Sequence, residues 1–143
     1  MTDRDVFERV RGRLLVQGRR AAAPNCRYRL AGDGVTLRCA VGCLIADEHY
    51  DDGFENRPVA HQAVIRALSE SGVLESDDWR GPRVRMLTAL QYTHDESAPA
   101  AWAAVLDQLS LRLSPEGSWT GHRGDDEHQR ASEAAADEPG AAE

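Results

Sequence analysis

Apolar residues recur at three- and four-residue spacings in four parts of the chain, the pattern of helices with one buried face. These parts are residues 3–20, 59–71, 82–94 and 98–113. Residues that commonly begin helices lie at their starts: Thr2 or Asp3 before the first, Pro82 in the third and Ser97 before the fourth. Gly72 follows the second as a helix-ending residue. The pattern predicts four helices.

A different pattern lies between the first two predicted helices. Residues 26–38 contain two short segments rich in strand-forming residues, CRYRL at residues 26–30 and VTLR at residues 35–38. The four residues AGDG lie between them, and their Asp33-Gly34 is a dipeptide typical of hairpin turns. Since an isolated hairpin is only marginally stable, we expect this one to pack on the helices. The apolar residues 39–48 fit either a short buried helix or a tight turn. The chain is thus predicted to have an α+β fold, mainly α, with about four helices, one β-hairpin and a short cysteine-containing central segment.

The helical pattern stops at Ser114. The residues that follow have no periodic apolar positions and cannot bury enough surface to offset the entropy lost on ordering. We therefore predict a single globular domain over residues 1–114 and a disordered acidic tail over residues 115–143.

Charge is distributed unevenly along the chain, whose formal net charge is −7. Residues 1–38 carry nine arginines against four acidic residues, residues 39–114 carry six against twelve, and residues 115–143 carry two against eight. All 17 basic residues are arginine, which excludes a Schiff-base or phosphate-loop lysine. The arginines of the first helix either contact phosphate or form a solvated face paired with the acidic middle of the chain. Because the whole chain is acidic, we favour the second interpretation and do not expect a nucleic-acid partner.

The sequence contains no segment that would place it in a membrane. No stretch approaches the ~18–20 apolar residues needed to span a bilayer. The first ten residues are charged and lack the apolar core of a secretory signal. We therefore expect a cytoplasmic protein without a membrane partner.

Three cysteines are the first candidates for chemistry. Cys26 begins the first predicted strand and Cys39 follows the second, so pairing of the strands would bring the two together, with Cys43 one helical turn further on. They fit small buried hydrophobic residues, since cysteine is often buried. They also fit a zinc site formed by Cys26, Cys39, Cys43 and His94, with His61 as another fourth ligand. The paired Cys-x2-Cys spacing typical of zinc sites is absent.

A reactive thiol is a third interpretation of the cysteines. Cys39 should lie near the N-terminus of a helical segment, where the helix dipole lowers the pKa of a thiol. His94, next to Asp95, or else His61 would then act as the base. The candidate catalytic residues are Cys39, Cys43, His94 and Asp95, and Cys39 is expected to alkylate fastest. A redox pair formed by Cys39 and Cys43 is a further alternative.

Two polar segments have both a structural and a functional interpretation. Asp47, Glu48, Asp51 and Asp52 lie within six residues and form either a hydrated loop or a rim that binds Mg²⁺ or Ca²⁺, although the EF-hand spacing is absent. His94-Asp95 ends a predicted helix, where a cationic histidine would suit the negative end of the dipole.

The polar and cysteine residues follow one another in a specific order. The order is Cys26, Tyr28-Arg29, CAVGCLI at residues 39–45, Asp47-Glu48, Tyr50, and LQYTHD at residues 90–95. This arrangement resembles a motif of small uncharacterised phage and bacterial proteins. In that family a proline stands where this chain has Ala46, and Tyr-Arg follows the first cysteine without the intervening Arg27.

The resemblance covers about residues 5–113 and carries over no reaction. It implies that the motif residues belong to one local cluster, namely Cys26, Tyr28, Arg29, Cys39, Gly42, Cys43, Asp47, Glu48, Tyr50, His94 and Asp95. Within it, the candidate binding residues are Tyr28, Arg29, Asp47, Glu48 and Tyr50.

Two classes of function fit these observations. One is a small cytosolic interaction or regulatory protein of phage or bacterial type, whose partner is another protein. The other is a small thiol-dependent enzyme or ligand-binding protein that uses Cys39 with His94, or a protein with a Cys/His zinc site. We favour the first class, because ~110 residues without a glycine-rich phosphate loop leave little room for a deep pocket.

Overall fold

Four α-helices and one β-hairpin make up the part of the chain that the structure, a computed structural model, describes: residues 1–22, 27–32, 34–75 and 80–121. The elements are α1 (Asp3–Gln17), β1 (Arg29–Gly32), β2 (Val35–Arg38), α2 (Gln62–Glu70), α3 (Pro82–Glu96) and α4 (Trp102–Ser110). The predicted α+β, mainly α, fold class is confirmed. Among the described residues, no helix combines the length and the apolar character needed to cross a bilayer.

Helix α1 begins and ends at residues with recognisable capping chemistry. The Thr2 hydroxyl accepts the Asp5 N–H at 3.1 Å, and the Thr2 N–H donates to the Asp5 carboxylate at 2.8 Å, which is a capping box. Gly18 ends the helix because it adopts a left-handed conformation with φ 69°. The helix therefore stops three residues before the predicted end at residue 20.

The hairpin pairs β1 with β2 in antiparallel register, from Arg29 opposite Arg38 to Gly32 opposite Val35. The predicted hairpin is confirmed, but β1 begins three residues after Cys26 and includes Ala31-Gly32, which were predicted to lie between the strands. Asp33 of the predicted turn lies outside the described residues. The side-chain amide of Gln17 binds the outer edge of β2. It donates to the Arg38 carbonyl and accepts the Arg38 N–H, both at 2.9 Å.

The segment after the hairpin contains three single turns of 3₁₀-helix rather than one buried helix. These turns are Gly42–Leu44, Asp47–His49 and Asp52–Phe54. Helix α2 begins three residues later than predicted, at Gln62, because His61 caps it: its Nδ1 accepts the Ala63 N–H at 3.2 Å.

The last two helices differ from the prediction at their junction. Helix α3 continues to Glu96, and a 3₁₀ turn over Pro99–Ala101 precedes α4. Ser97 does not cap α4 as predicted. It ends α3 instead, and its carbonyl accepts the indole N–H of the fully buried Trp102 at 3.1 Å.

The packed part of the chain continues past the predicted boundary at residue 114. The Trp119 side chain is only 4% exposed and belongs to the same core as the helices. Its backbone N–H donates to the Asp3 carboxylate at 2.8 Å, and the Arg4 N–H donates to the Gly117 carbonyl at 2.9 Å. The rest of the predicted tail, residues 122–143, lies outside the described residues.

Candidate functional site

Arg29 lies at the centre of the predicted binding residues and is itself largely buried. One guanidinium nitrogen donates to the Ile45 carbonyl at 2.7 Å, and another lies 3.0 Å from the Asp47 carboxylate. The guanidinium carbon lies 4.5 Å from the centre of the Tyr50 ring, within cation–π distance. The structure thus brings Arg29, Asp47 and Tyr50 together, where they hold β1 against the loop that follows the hairpin.

Glu55 completes this cluster, although nothing in the sequence pattern singled it out. Its side chain is 7% exposed, and its carboxylate accepts the backbone N–H of Tyr28 at 2.8 Å and that of Arg29 at 3.2 Å. The same carboxylate accepts the Tyr50 hydroxyl at 2.6 Å. Burial and this hydrogen bond raise the pKa of Tyr50. The carboxylate therefore binds both the start of β1 and the loop.

Tyr28 and Gly42 are in backbone contact. The Tyr28 carbonyl accepts the Cys39 N–H at 3.2 Å, and its hydroxyl donates to the Arg57 carbonyl at 2.5 Å. A β-carbon on Gly42 would lie 2.0 Å from the Tyr28 carbonyl oxygen, so only glycine fits there. Burial raises the pKa of the Tyr28 hydroxyl. Both residues therefore act in packing the hairpin on the segment that follows.

The acidic loop is bound to its neighbours by direct contacts. Asp47 pairs with Arg29 and Arg38, and His49 Nδ1 lies 3.0 Å from the Glu70 carboxylate on α2. Glu48 is exposed and makes no ion pair or hydrogen bond with the described residues, so it is not part of the cluster.

The two described cysteines differ in their surroundings, but burial dominates at both. Cys39 is fully buried, and its Sγ accepts the Gly42 N–H at 3.2 Å. The predicted local donor is therefore present, but burial outweighs it and raises the pKa of Cys39 well above its usual value. Cys43 is half-buried, and burial raises its pKa to about 11 against the opposing effect of nearby arginines. The prediction that Cys39 has a lowered pKa is wrong, because the spacing of the cysteines in the sequence does not reveal how deeply Cys39 is buried.

His94 is buried and uses both ring nitrogens for contacts other than a thiol. Nε2 accepts the Ala21 N–H at 3.1 Å, and Nδ1 lies 2.7 Å from Asp95 Oδ1. Because Nε2 accepts a hydrogen bond from an N–H, it carries no proton itself, and the proton of the neutral ring lies on Nδ1. The ring also stacks on Trp102 at 5.5 Å between centroids. His94 therefore fills the core and joins the segment that follows α1 to α3. The cationic cap predicted as one alternative does not fit an Nε2 that accepts an N–H.

Asp95 extends this buried polar network towards the cysteine segment. It accepts the Gln91 side-chain amide at 2.8 Å, and Gln91 in turn accepts the Val41 N–H at 3.1 Å. Arg20 adds hydrogen bonds to the carbonyls of His94, at 3.1 Å, and Ser97, at 2.7 Å. The polar residues Gln91, His94 and Asp95 of the LQYTHD segment therefore make structural contacts within the chain.

The described residues do not form the predicted zinc site. Across residues 1–22, 27–32, 34–75 and 80–121, no three His, Cys, Asp or Glu side chains are grouped so that they could hold a metal ion. Cys26, one of its proposed ligands, lies outside the described residues, so its predicted proximity to Cys39 stays a prediction.

A groove of about 910 Å³ runs between α1 and β2. Its lining includes four arginines, namely Arg9, Arg13, Arg19 and Arg38, together with exposed apolar side chains, Cys43 and one acidic residue, Glu8, which pairs with Arg11 at 3.1 Å. Arg38 pairs with Asp47. Arg9, Arg13 and Arg19 form no ion pair with the part of the chain that the structure describes. The expectation that the arginines of the first predicted helix pair with the acidic middle therefore holds for Arg11, which lies 3.6 Å from Asp107, but not for these three.

Comparison with models of protein families, with curated proteins and with solved structures found no match.

A second cleft of about 370 Å³ opens over the buried polar network. Tyr28, Gln91 and Asp95 line it together with Arg27 and with residues 56–59, which include Arg57. Asn56 has φ 66° there, an uncommon conformation for a residue other than glycine. Because Tyr28, Gln91 and Asp95 are already engaged in hydrogen bonds within the chain, this cleft offers a ligand fewer unpaired groups than the arginine groove does.

Proposed function

We propose that this protein is a small cytoplasmic interaction module, of the kind that phages and bacteria encode, and that it binds a protein partner in the arginine groove. The observation that carries the proposal is the set of three arginines, Arg9, Arg13 and Arg19, that line the groove without an ion-pair partner among the described residues. Like charges that are close together repel one another unless an acidic group compensates them. An acidic partner would supply that compensation.

Exposed apolar side chains in the same groove support a protein partner. Val16 is 89% exposed and Val35 is 49% exposed, and both line the groove. Interfaces between proteins combine such apolar surface with arginine more often than with lysine. The groove therefore has the composition of a protein-binding surface.

The contacts of the other polar residues also favour a binding module over a thiol-dependent enzyme. Arg29, Glu55 and His94 each bind backbone groups of a neighbouring element, and Cys39 is buried with a raised pKa. A nucleophilic cysteine needs the opposite, an accessible thiol with a lowered pKa and a base beside it. The thiol-dependent alternative would require a rearrangement that separates His94 from Ala21.

The test is selection of peptides from a displayed random library on the full chain, followed by binding of the enriched peptides to two charge-reversal variants. Arg13→Glu changes an exposed arginine in the groove, and Arg66→Glu changes an exposed arginine on α2 as the matched control. We expect enriched peptides to lose at least tenfold in affinity with Arg13→Glu and to bind Arg66→Glu as they bind the native protein.

Amide chemical-shift changes provide the second readout. They should concentrate on α1 and β2 when an enriched peptide is added. Failure to enrich any peptide, or shift changes centred on the cleft at residues 56–59, would refute the assignment of the groove.

A further inference from the structure

Gly12 occupies an unexpected position, the interior of α1 on the side that lines the groove. Glycine weakens a helix interior relative to alanine. A β-carbon at this position would meet nothing within 4 Å, and the backbone of Gly12 does not have a positive φ. Neither packing nor backbone conformation within the chain therefore requires glycine here.

The groove surface around Gly12 has a defined chemical order. Arg9 and Arg13 flank Gly12, and Val16 lies one helical turn beyond it. Val35 faces the same groove from β2. The missing side chain leaves a shallow depression between two cationic groups, next to apolar surface.

We infer that the groove binds an acidic polypeptide segment that also carries apolar side chains, and that Gly12 is the point of closest approach. An apolar side chain of the segment packs over Gly12 and against Val16, while its carboxylates pair with Arg9 and Arg13. This inference rests on the proposed function and adds to it the chemistry of the partner and the residue that shapes the contact.

The charge and composition of the chain favour an acidic polypeptide over a nucleic acid. The net charge of −7 repels a long polyanion, whereas a short acidic segment is affected mainly within a Debye length of the groove. Apolar side chains such as Val16 and Val35 offer nothing to a phosphate backbone. They do offer packing surface to leucine or isoleucine.

The test uses four fluorescein-labelled probes and the full chain in a fluorescence-anisotropy titration at constant ionic strength. The first probe is a 12-residue peptide that repeats Leu-Glu-Glu. The second replaces Glu with Gln, the third replaces Leu with Ser, and the fourth is a 12-nucleotide oligothymidylate. We expect the Leu-Glu-Glu peptide to bind at least tenfold more tightly than each of the other three. Equal or tighter binding of the oligothymidylate would overturn the inference in favour of a general polyanion site.

Gly12→Ala distinguishes the role of Gly12 from the role of the groove. We expect this variant to have a raised melting temperature, because alanine favours the helix, and to bind the Leu-Glu-Glu peptide at least fivefold more weakly. Gln108→Ala, at an exposed position of α4, is the matched control and should leave affinity unchanged. Unchanged binding by Gly12→Ala would refute the contact at Gly12, and the proposed function would stand if Arg13→Glu still weakened binding at least tenfold.

A truncation after Gly121 tests whether the chain supplies its own occupant. Residues 122–143 are acidic and would compete with the probe if they bound in the groove. We expect the truncated protein to bind the Leu-Glu-Glu peptide with the affinity of the full chain, within threefold. A gain of tenfold or more would assign the groove to this segment and overturn the inference of a separate partner.

Discussion

The contact between Trp119 and the start of α1 allows a quantitative test of where the folded unit ends. Two truncations separate the possibilities: one ends at Ser114 and removes Trp119, and the other ends at Gly121 and retains it. The shorter protein loses a nearly buried tryptophan and the hydrogen bond from the Trp119 N–H to Asp3. The longer one loses only residues 122–143.

The expected magnitude follows from the buried surface. A buried tryptophan removes about 200 Å² from water, and at about 25 cal/mol per Å² this gives roughly 5 kcal/mol as an upper value. Truncations of buried tryptophan to alanine cost about 3–5 kcal/mol. For a domain of this size, each kcal/mol lost from the free energy of unfolding lowers the melting temperature by about 4 °C. We therefore expect the protein that ends at Ser114 to melt about 10–20 °C lower.

Thermal unfolding followed by circular dichroism measures the effect. The point variants Trp119→Ala and Trp119→Phe provide the comparison within a full-length chain. The alanine variant should show most of the loss, whereas phenylalanine keeps a smaller aromatic ring in the core and omits an indole N–H that has no partner among the described residues. If the protein that ends at Ser114 melted within about 3 °C of the full chain, the burial of Trp119 would contribute nothing to stability and this reasoning would be wrong.

Three further perturbations probe the cluster around the hairpin. Gly42→Ala places a β-carbon 2.0 Å from the Tyr28 carbonyl oxygen and should destabilise the fold by at least about 3 kcal/mol in urea unfolding; a loss under about 1 kcal/mol would contradict the close approach. Glu55→Gln replaces one accepting oxygen with a donor and should lower the free energy of unfolding by about 2–3 kcal/mol. Glu48→Gln, at an exposed position, is the control and should leave the free energy of unfolding unchanged. Equal losses in the two variants would argue against a special role for Glu55. Cys43, with a pKa of about 11 instead of 9.0, holds about a hundredfold less thiolate at pH 7, so its iodoacetamide labelling should be slow and should rise about tenfold per pH unit. As pH rises, the unfolded chain releases the Cys43 proton at a lower pH than the folded chain does, so the free energy of unfolding should fall between pH 9 and 11. This fall should be smaller in Cys43→Ala. Fast labelling of Cys43 at pH 7 would contradict the raised pKa.

The helices and the hairpin were predictable because apolar spacing reports directly on which face of an element is buried. The two strands pair as expected, although β1 includes Ala31-Gly32 of the predicted connection. The helix ends were less predictable, because they depend on capping contacts such as the Nδ1 of His61 with the Ala63 N–H. Spacing along the chain contains no information about such contacts.

The candidate site was predicted only in part, for a related physical reason. Arg29, Asp47 and Tyr50 do meet, but the carboxylate that joins Tyr50 to the hairpin belongs to Glu55 in an otherwise ordinary polar loop. Cys39 has the backbone donor that its position suggested, yet its full burial decides its pKa. Burial results from the packing of distant elements, so local sequence could indicate the donor but not the dominant effect.

The amide side chain of Gln17 has a consequence for how copies of this chain behave at high concentration. An open strand edge can pair with the same edge of another molecule, which is a common route to aggregation. Gln17 occupies both hydrogen-bonding groups of Arg38 in the way that a peptide unit of a third strand would. A single helical residue therefore protects the β2 edge of a two-stranded sheet at this position. Replacement of Gln17 by leucine should leave that edge open. Slow formation of intermolecular β-sheet, followed by its infrared amide I band, would then reveal the loss of this protection.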